Sequence, residues 1–153
     1  PMGNGTFPDW ATSRLQSIGN WMNVNAEAIN QTKPWTVTKE NSLNVVSIDP
    51  TTTATEKNTM KDAVHDATPK TTVPDIYYTS KENTIYVFLR SWDKPNFKLK
   101  SINKKLIVKD ISLLGSTKKV KWNANENELI GVLPGDFRKI NEVPVYVLKI
   151  TTD

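Results

Sequence analysis

Three kinds of side chain in this sequence could do chemistry: sixteen carboxylates, a single histidine and five tryptophans. Two carboxyls held a few ångströms apart can share acid, base and nucleophile work on a substrate. Spacing singles out no such pair here, and most of these acids fall in polar, turn-like stretches where solvated charge is ordinary. Glu27 stands apart because it lies among apolar neighbours near a predicted helix end. The simpler expectation for it is a carboxylate satisfied by backbone N–H groups or by a lysine. His65 has no second histidine and no cysteine to join it, so a metal centre or a nucleophile pair lacks its partners. Trp92, just before a loop, and Trp122, at a strand end, are the candidate carbohydrate-binding residues, since an indole face can stack on a sugar. Burial in a core or a domain seam is the competing expectation for both. No nucleophile elbow, phosphate-cradling glycine loop or zinc-protease helix is present. The expected metal ligands and cofactors are therefore none.

The elements that must position these residues change character along the chain. From about Pro8 to Ile29 the spacing predicts a helix, because Ala11, Leu15, Ile18 and Met22 recur at four, three and four residues and share one face. Trp10 and Trp21 flank that stripe, with Thr6 as the expected N-cap and Pro8 and Asp9 in the first turn. Lys33-Pro34-Trp35 then ends helical structure, since a proline disfavours α geometry in the residue before it. Beyond Trp35 the pattern is β. Strands are predicted at 35–38, 44–48, 76–79, 84–90, 97–102, 106–114, 120–122, 129–133 and 145–151. Phe97, Leu99 and Ser101 alternate with Lys98 and Lys100 in the period of two of a half-buried strand. Ile85 to Leu89 are apolar on both faces, the mark of a central strand. Residues 80–83 and 123–127 read as hairpin connections. Residues 49–75, rich in Thr, Lys, Ala and Pro, read as a loop insertion. The predicted fold class is mainly β: an antiparallel β-sandwich of about eight strands preceded by one amphipathic N-terminal helix.

Composition removes several function classes. Apolar residues at 37% and charged residues at 24% fit a folded domain and not a disordered segment. No stretch approaches the roughly 20 apolar residues of a membrane-spanning helix. The net charge of +4 is modest, and its lysines concentrate at Lys98, Lys100, Lys104, Lys105 and Lys109 and at Lys118, Lys119 and Lys121. A basic patch for nucleic acid or an acidic glycan is one reading, and wet strand faces and guarded edges are the favoured one. With no nucleic-acid motif alongside them, neither nucleic acid nor membrane is an expected partner. Absence of cysteine excludes disulfides and thiolate chemistry. Two sequons, Asn4-Gly5-Thr6 and Asn30-Gln31-Thr32, make Asn4 and Asn30 the glycosylation candidates and lean toward a secretory route.

One stretch is more specific than any of these patterns. Arg14-Leu15-Gln16-Ser17-Ile18-Gly19-Asn20-Trp21-Met22-Asn23-Val24-Asn25-Ala26-Glu27-Ala28-Ile29, followed by Lys33-Pro34-Trp35, resembles the α-L-fucosidase stretch R-L-x-x-I-G-x-W-L-x-V-N-G-E-A-I-Y…[KR]-P-W. Pro1 with Asn4-Gly5 resembles the family's G-P-x-x-D-G segment leading into the last barrel helix. Downstream, Ile76-Tyr77-Tyr78-Thr79-Ser80-Lys81, Thr84 to Phe88 and Ser91-Trp92 resemble its Y-T-S-K-G…Y-A…W-P strands. Ile111 to Gly115, Val120 to Trp122 and Val145 to Thr151 continue the likeness to the chain end. Departures are Ala26 for glycine, Asn30 for tyrosine and Asn4 for aspartate.

The resemblance implies that residues 1–34 are the last helix and linker of a missing (β/α)8-like catalytic barrel and that 35–153 are a C-terminal β-sandwich domain. Family members are retaining glycosidases whose aspartate nucleophile and acid/base lie upstream of the matched segment. No residue here inherits either role, so the expected catalytic residues are none. Trp10, Leu15, Ile18 and Met22 become the expected domain-interface residues, facing the barrel or a second copy, with folding of the helix onto the sandwich as the alternative. Fucosylated glycans are the expected small partners, and a secreted or lysosomal location the expected setting. A stand-alone carbohydrate-binding module is the alternative, with an enzyme in its own right as a third reading.

Overall fold

A computed structural model describes residues 7–42, 75–140 and 145–153. The expected strand at 44–48, nearly all of the insertion at 49–75, Asn4, Thr6 and His65 lie outside the described residues. Helix α1 spans Asp9–Asn25, and a short 3-10 turn follows over Ala26–Ala28. Pro8 takes the N-cap position, with its carbonyl accepting from the N–H groups of Ala11 and Thr12. Asp9 then stands in the first turn, where the exposed N–H groups favour a negative charge.

Among the described residues eight strands follow: β1 (Lys33–Glu40), β2 (Ile76–Lys81), β3 (Thr84–Arg90), β4 (Asn96–Leu99), β5 (Val108–Leu113), β6 (Lys121–Ala124), β7 (Leu129–Val132) and β8 (Val145–Thr152). They form a five-stranded sheet, ordered β1-β2-β3-β8-β5, and a three-stranded sheet, ordered β4-β7-β6. Every pairing is antiparallel. This is the predicted β-sandwich with its N-terminal helix.

Three differences from the sequence reading have local causes. Strand β1 begins at Lys33, inside the stretch read as linker, because Gln31 adopts φ 59° and returns the chain to pair Lys33 with Ser80 and Pro34 with Thr79. Strand β4 stops at Leu99, since the N–H groups of Lys100 and Ser101 donate to the Glu40 carboxylate instead of a ladder partner. Strand β5 starts at Val108, after a turn in which the Leu106 N–H donates to Asn103 O. The hairpin expected at 80–83 joins β2 to β3, with Glu82 at φ 51°.

The main core lies between the sheets. Ile85, Val87 and Leu89 of β3 meet Phe97, Leu99 and Leu129 of the smaller sheet there, with Leu148 and Ile150 of β8 beside them. A second apolar layer lies on the outer face of the five-stranded sheet. Ala28, Tyr86, Leu114 and Val147 are buried in it, and Trp21, Val24 and Phe88 pack against them. Among the described residues no helix is long and apolar enough to cross a membrane.

Candidate functional site

The carboxylates come first, because chemistry would need them unencumbered. Glu40, at the end of β1, accepts from Lys100 N at 3.0 Å, from Ser101 N at 2.9 Å and from the Ser101 hydroxyl. It thereby clips the edge of one sheet to the strand end of the other. Burial, and then the neighbouring Glu40 carboxylate, push the Tyr78 phenol well above its ordinary range. Asp75 accepts from Ser42 N at 2.7 Å and from the Ser42 hydroxyl, a contact that ties the end of β1 to the start of β2. Glu27 lies 2.8 Å from Lys149 Nζ and 3.5 Å from the Tyr86 hydroxyl, so a lysine satisfies it. That hydrogen bond raises the Lys149 pKa above the ordinary lysine value, and burial followed by Glu27 raises that of Tyr86. Glu126, Glu128, Asp136 and Asp153 each pair with a surface lysine. Among the described residues no group of three acids or histidines could hold a metal.

Helix α1 makes the first notable surface. Its C-terminal half is docked: Trp21 Nε1 donates to Val145 O at 2.8 Å, and its ring lies 6.4 Å from that of Phe88. Asn25 is fully buried and donates to Trp21 O at 2.9 Å. Gly115, at φ 81°, lets the helix come close, since a Cβ there would lie 2.6 Å from Val24 Cγ1 and from Ile140 Cγ2. The N-terminal half is bare. Trp10 is 66% exposed, Leu15 57% and Ile18 56%, whereas Met22 is half-buried. Phe7 is exposed beside them, and the Arg14 guanidinium lies 5.6 Å from the centre of the Trp10 ring. Three of the four expected interface residues thus stand open. Asn30 is exposed in the turn after the helix, where Thr32 Oγ1 donates to Ile29 O.

The second surface is a groove of ≈ 680 Å³ on the three-stranded sheet, lined by both candidate sugar residues, Trp92 and Trp122. Trp92 is only 7% exposed and belongs to the main core, so its ring offers no open platform. Ser91, at φ 52°, turns the chain inward there. Trp122 is half-buried and packs against the same core. Outward-facing residues make the floor. Val132 stands between Asn96 and Lys121 in the strand register, and Ile130 between Lys98 and Asn123. Docking of the helix on the sandwich was an alternative from sequence, and a basic lysine patch one reading, but neither Trp21 as the docking residue nor the groove that gathers the lysines was named. The apolar run on both faces of β3 was the available signal for the first.

The pairing of a docked helix with an eight-stranded sandwich has counterparts. A family model described as the alpha-L-fucosidase C-terminal domain matches residues 69–151. The chain belongs to that family. It is 25% identical over 127 residues to tissue alpha-L-fucosidase of Bos taurus, covering 82% of this chain and 20% of that protein. Among solved structures, the alpha-fucosidase of Thermotoga maritima matches with a TM-score of 0.64 at 17% identity, covering 99% of this chain and 28% of the other. A second structure, of an alpha-L-fucosidase, matches with a TM-score of 0.63 at 18% identity, covering 99% and 27%. Both likenesses show the fold, and the near-complete coverage takes in α1 with the sandwich. The chain spans less than a third of each relative. As an α-L-fucosidase C-terminal domain, it leaves Trp10, Leu15 and Ile18 of α1 exposed.

Proposed function

We propose that this chain is the non-catalytic C-terminal part of an α-L-fucosidase. In the complete enzyme a catalytic unit of the same polypeptide would hydrolyse α-L-fucosides from glycans with retention, and α1 would seat the sandwich against it. The carrying observation is the exposure of Trp10, Leu15 and Ile18 on a helix whose far end is docked, with Phe7 exposed just ahead of it. Burying a side chain of this kind is worth about 1.5–3 kcal/mol, which favours a covering partner. The engagement of Glu27, Glu40 and Asp75 in structural bonds supports the non-catalytic part of the reading.

The direct test is turnover of an aryl α-L-fucoside by this chain alone. No release above buffer is expected, and measurable turnover would contradict the proposal. A secreted or lysosomal setting, with a glycan on exposed Asn30, belongs to the same reading. An endoglycosidase should then lower the mass of protein from its native source, and an unchanged mass would count against it.

A second reading, a stand-alone carbohydrate-binding module, is favoured by one observation: Trp92 and Trp122 line the same groove. It predicts that fucosylated oligosaccharides shift signals of groove residues with no turnover.

A further inference from the structure

The groove on the three-stranded sheet has a charge character that a neutral sugar such as fucose does not account for. Lysines 94, 98, 100 and 121 line it, and no carboxylate does. Lys98 is held by Glu128 at 3.0 Å, whereas Lys94 and Lys121 make no ion pair among the described residues. Ammonium groups therefore gather around a concave surface, where their fields add and attract anions. Between them run Ile130 and Val132, 41% and 42% exposed, an apolar strip along the middle of the sheet. Asn96 and Asn123 sit at diagonal corners of that strip, each opposite a lysine in the strand register. Trp92, in the wall, has a buried indole N–H without a partner among the described residues.

We infer that this groove binds an anionic glycan, a sulfated or carboxylated oligosaccharide, with its acid groups on Lys94, Lys98 and Lys121 and its C–H faces over Ile130 and Val132. The groove lies on the face of a sheet and not along its edge. A peptide laid there would have to leave its backbone N–H and C=O groups without ladder partners, which is costly where water is displaced. A glycan carries its polar groups on the ring periphery, within reach of the lysines and amides at the rim. Self-association through this face would bring like charges together on a chain of net charge +4. The inference shares its groove with the module reading but does not depend on fucose or on the role of α1, so its failure leaves the fucosidase assignment standing.

The test is calorimetric titration of this chain with a chondroitin sulfate hexasaccharide at low salt. Parallel titrations use a neutral dextran hexamer, inorganic sulfate and a hexaglutamate peptide. Binding of the sulfated hexasaccharide alone is the expected result. Lys94→Gln with Lys121→Gln should weaken it by about tenfold or more, the loss of one charge-assisted bond being worth about that factor. Lys104→Gln with Lys109→Gln removes the same charge outside the groove and should change affinity by less than about twofold. Ile130→Ser should also weaken binding at unchanged net charge. Four results would overturn the inference: no binding of the hexasaccharide, equal binding of hexaglutamate, equal binding of inorganic sulfate, or equal weakening by the two lysine pairs.

Discussion

Along β3 every residue from Ile85 to Leu89 is buried or half-buried, whereas along β7 burial alternates residue by residue. The five-stranded sheet is sandwiched between the smaller sheet and the C-terminal half of α1, while the outer face of the three-stranded sheet meets solvent. The difference is written in side-chain type: Tyr86 and Phe88 on the outward side of β3, against Lys98, Lys121 and Asn123 beside β7. An outward aromatic pair calls for a cover, and an outward lysine row around two aliphatic residues calls for an anionic ligand or water. The same contrast recurs within α1, docked by Trp21 and Val24 but with Trp10, Leu15 and Ile18 exposed.

The sharpest way to break this contrast is to empty a position in the doubly covered sheet. Leu148→Ala removes a fully buried side chain from the main core. It should cost about 3 kcal/mol in urea unfolding, with Ile130→Ala on the bare face costing less than about 1. Similar losses at the two sites would erase the distinction. Gly115→Ala comes next, because it strains a positive φ and drives a Cβ into Val24 and Ile140. A loss of about 2 kcal/mol is expected. Hydrogen exchange should rise in the last turns of α1 more than in β3. Trp21→Phe keeps the ring but removes the donor to Val145 O. It should lower stability by about 1 kcal/mol.

The smallest effect belongs to Lys149 and Glu27. The folded-state pKa of Lys149 is raised, so its contribution is complete below the unfolded value near 10.5 and fades as pH climbs through the folded value. The pair is solvent-accessible, so it is worth under about 1 kcal/mol. Glu27→Gln should abolish that alkaline loss of helix docking, read by Trp21 fluorescence in a background lacking the other tryptophans. An unchanged alkaline transition would assign it elsewhere.

Much of the fold was legible because period and turn chemistry agreed. Strand β3 was bounded by the hairpin residues before it, and Phe97 with Leu99 set the inward face of β4. The start of β1 was not legible, since Pro34 signals a helix stop equally well in a linker and in an edge strand. The groove was hidden for a topological reason. Lys121 and Ile130 flank the hairpin read at 123–127, but Lys98 is distant in sequence and joins them only through the β4-β7 pairing. Trp92 was legible as a core residue, since burial in a core or a domain seam is what a large aromatic there leads one to expect. The positive φ of Ser91 just before it is something serine does not announce.

The account rests on α1 being a seat for a catalytic unit. Hydroxyl-radical footprinting of Trp10, Leu15 and Ile18 tests it, comparing this chain alone with the polypeptide that carries the catalytic unit ahead of it. These three side chains should be oxidised readily in the chain alone and become strongly protected when the catalytic unit is attached. Equal oxidation in the two forms would contradict it.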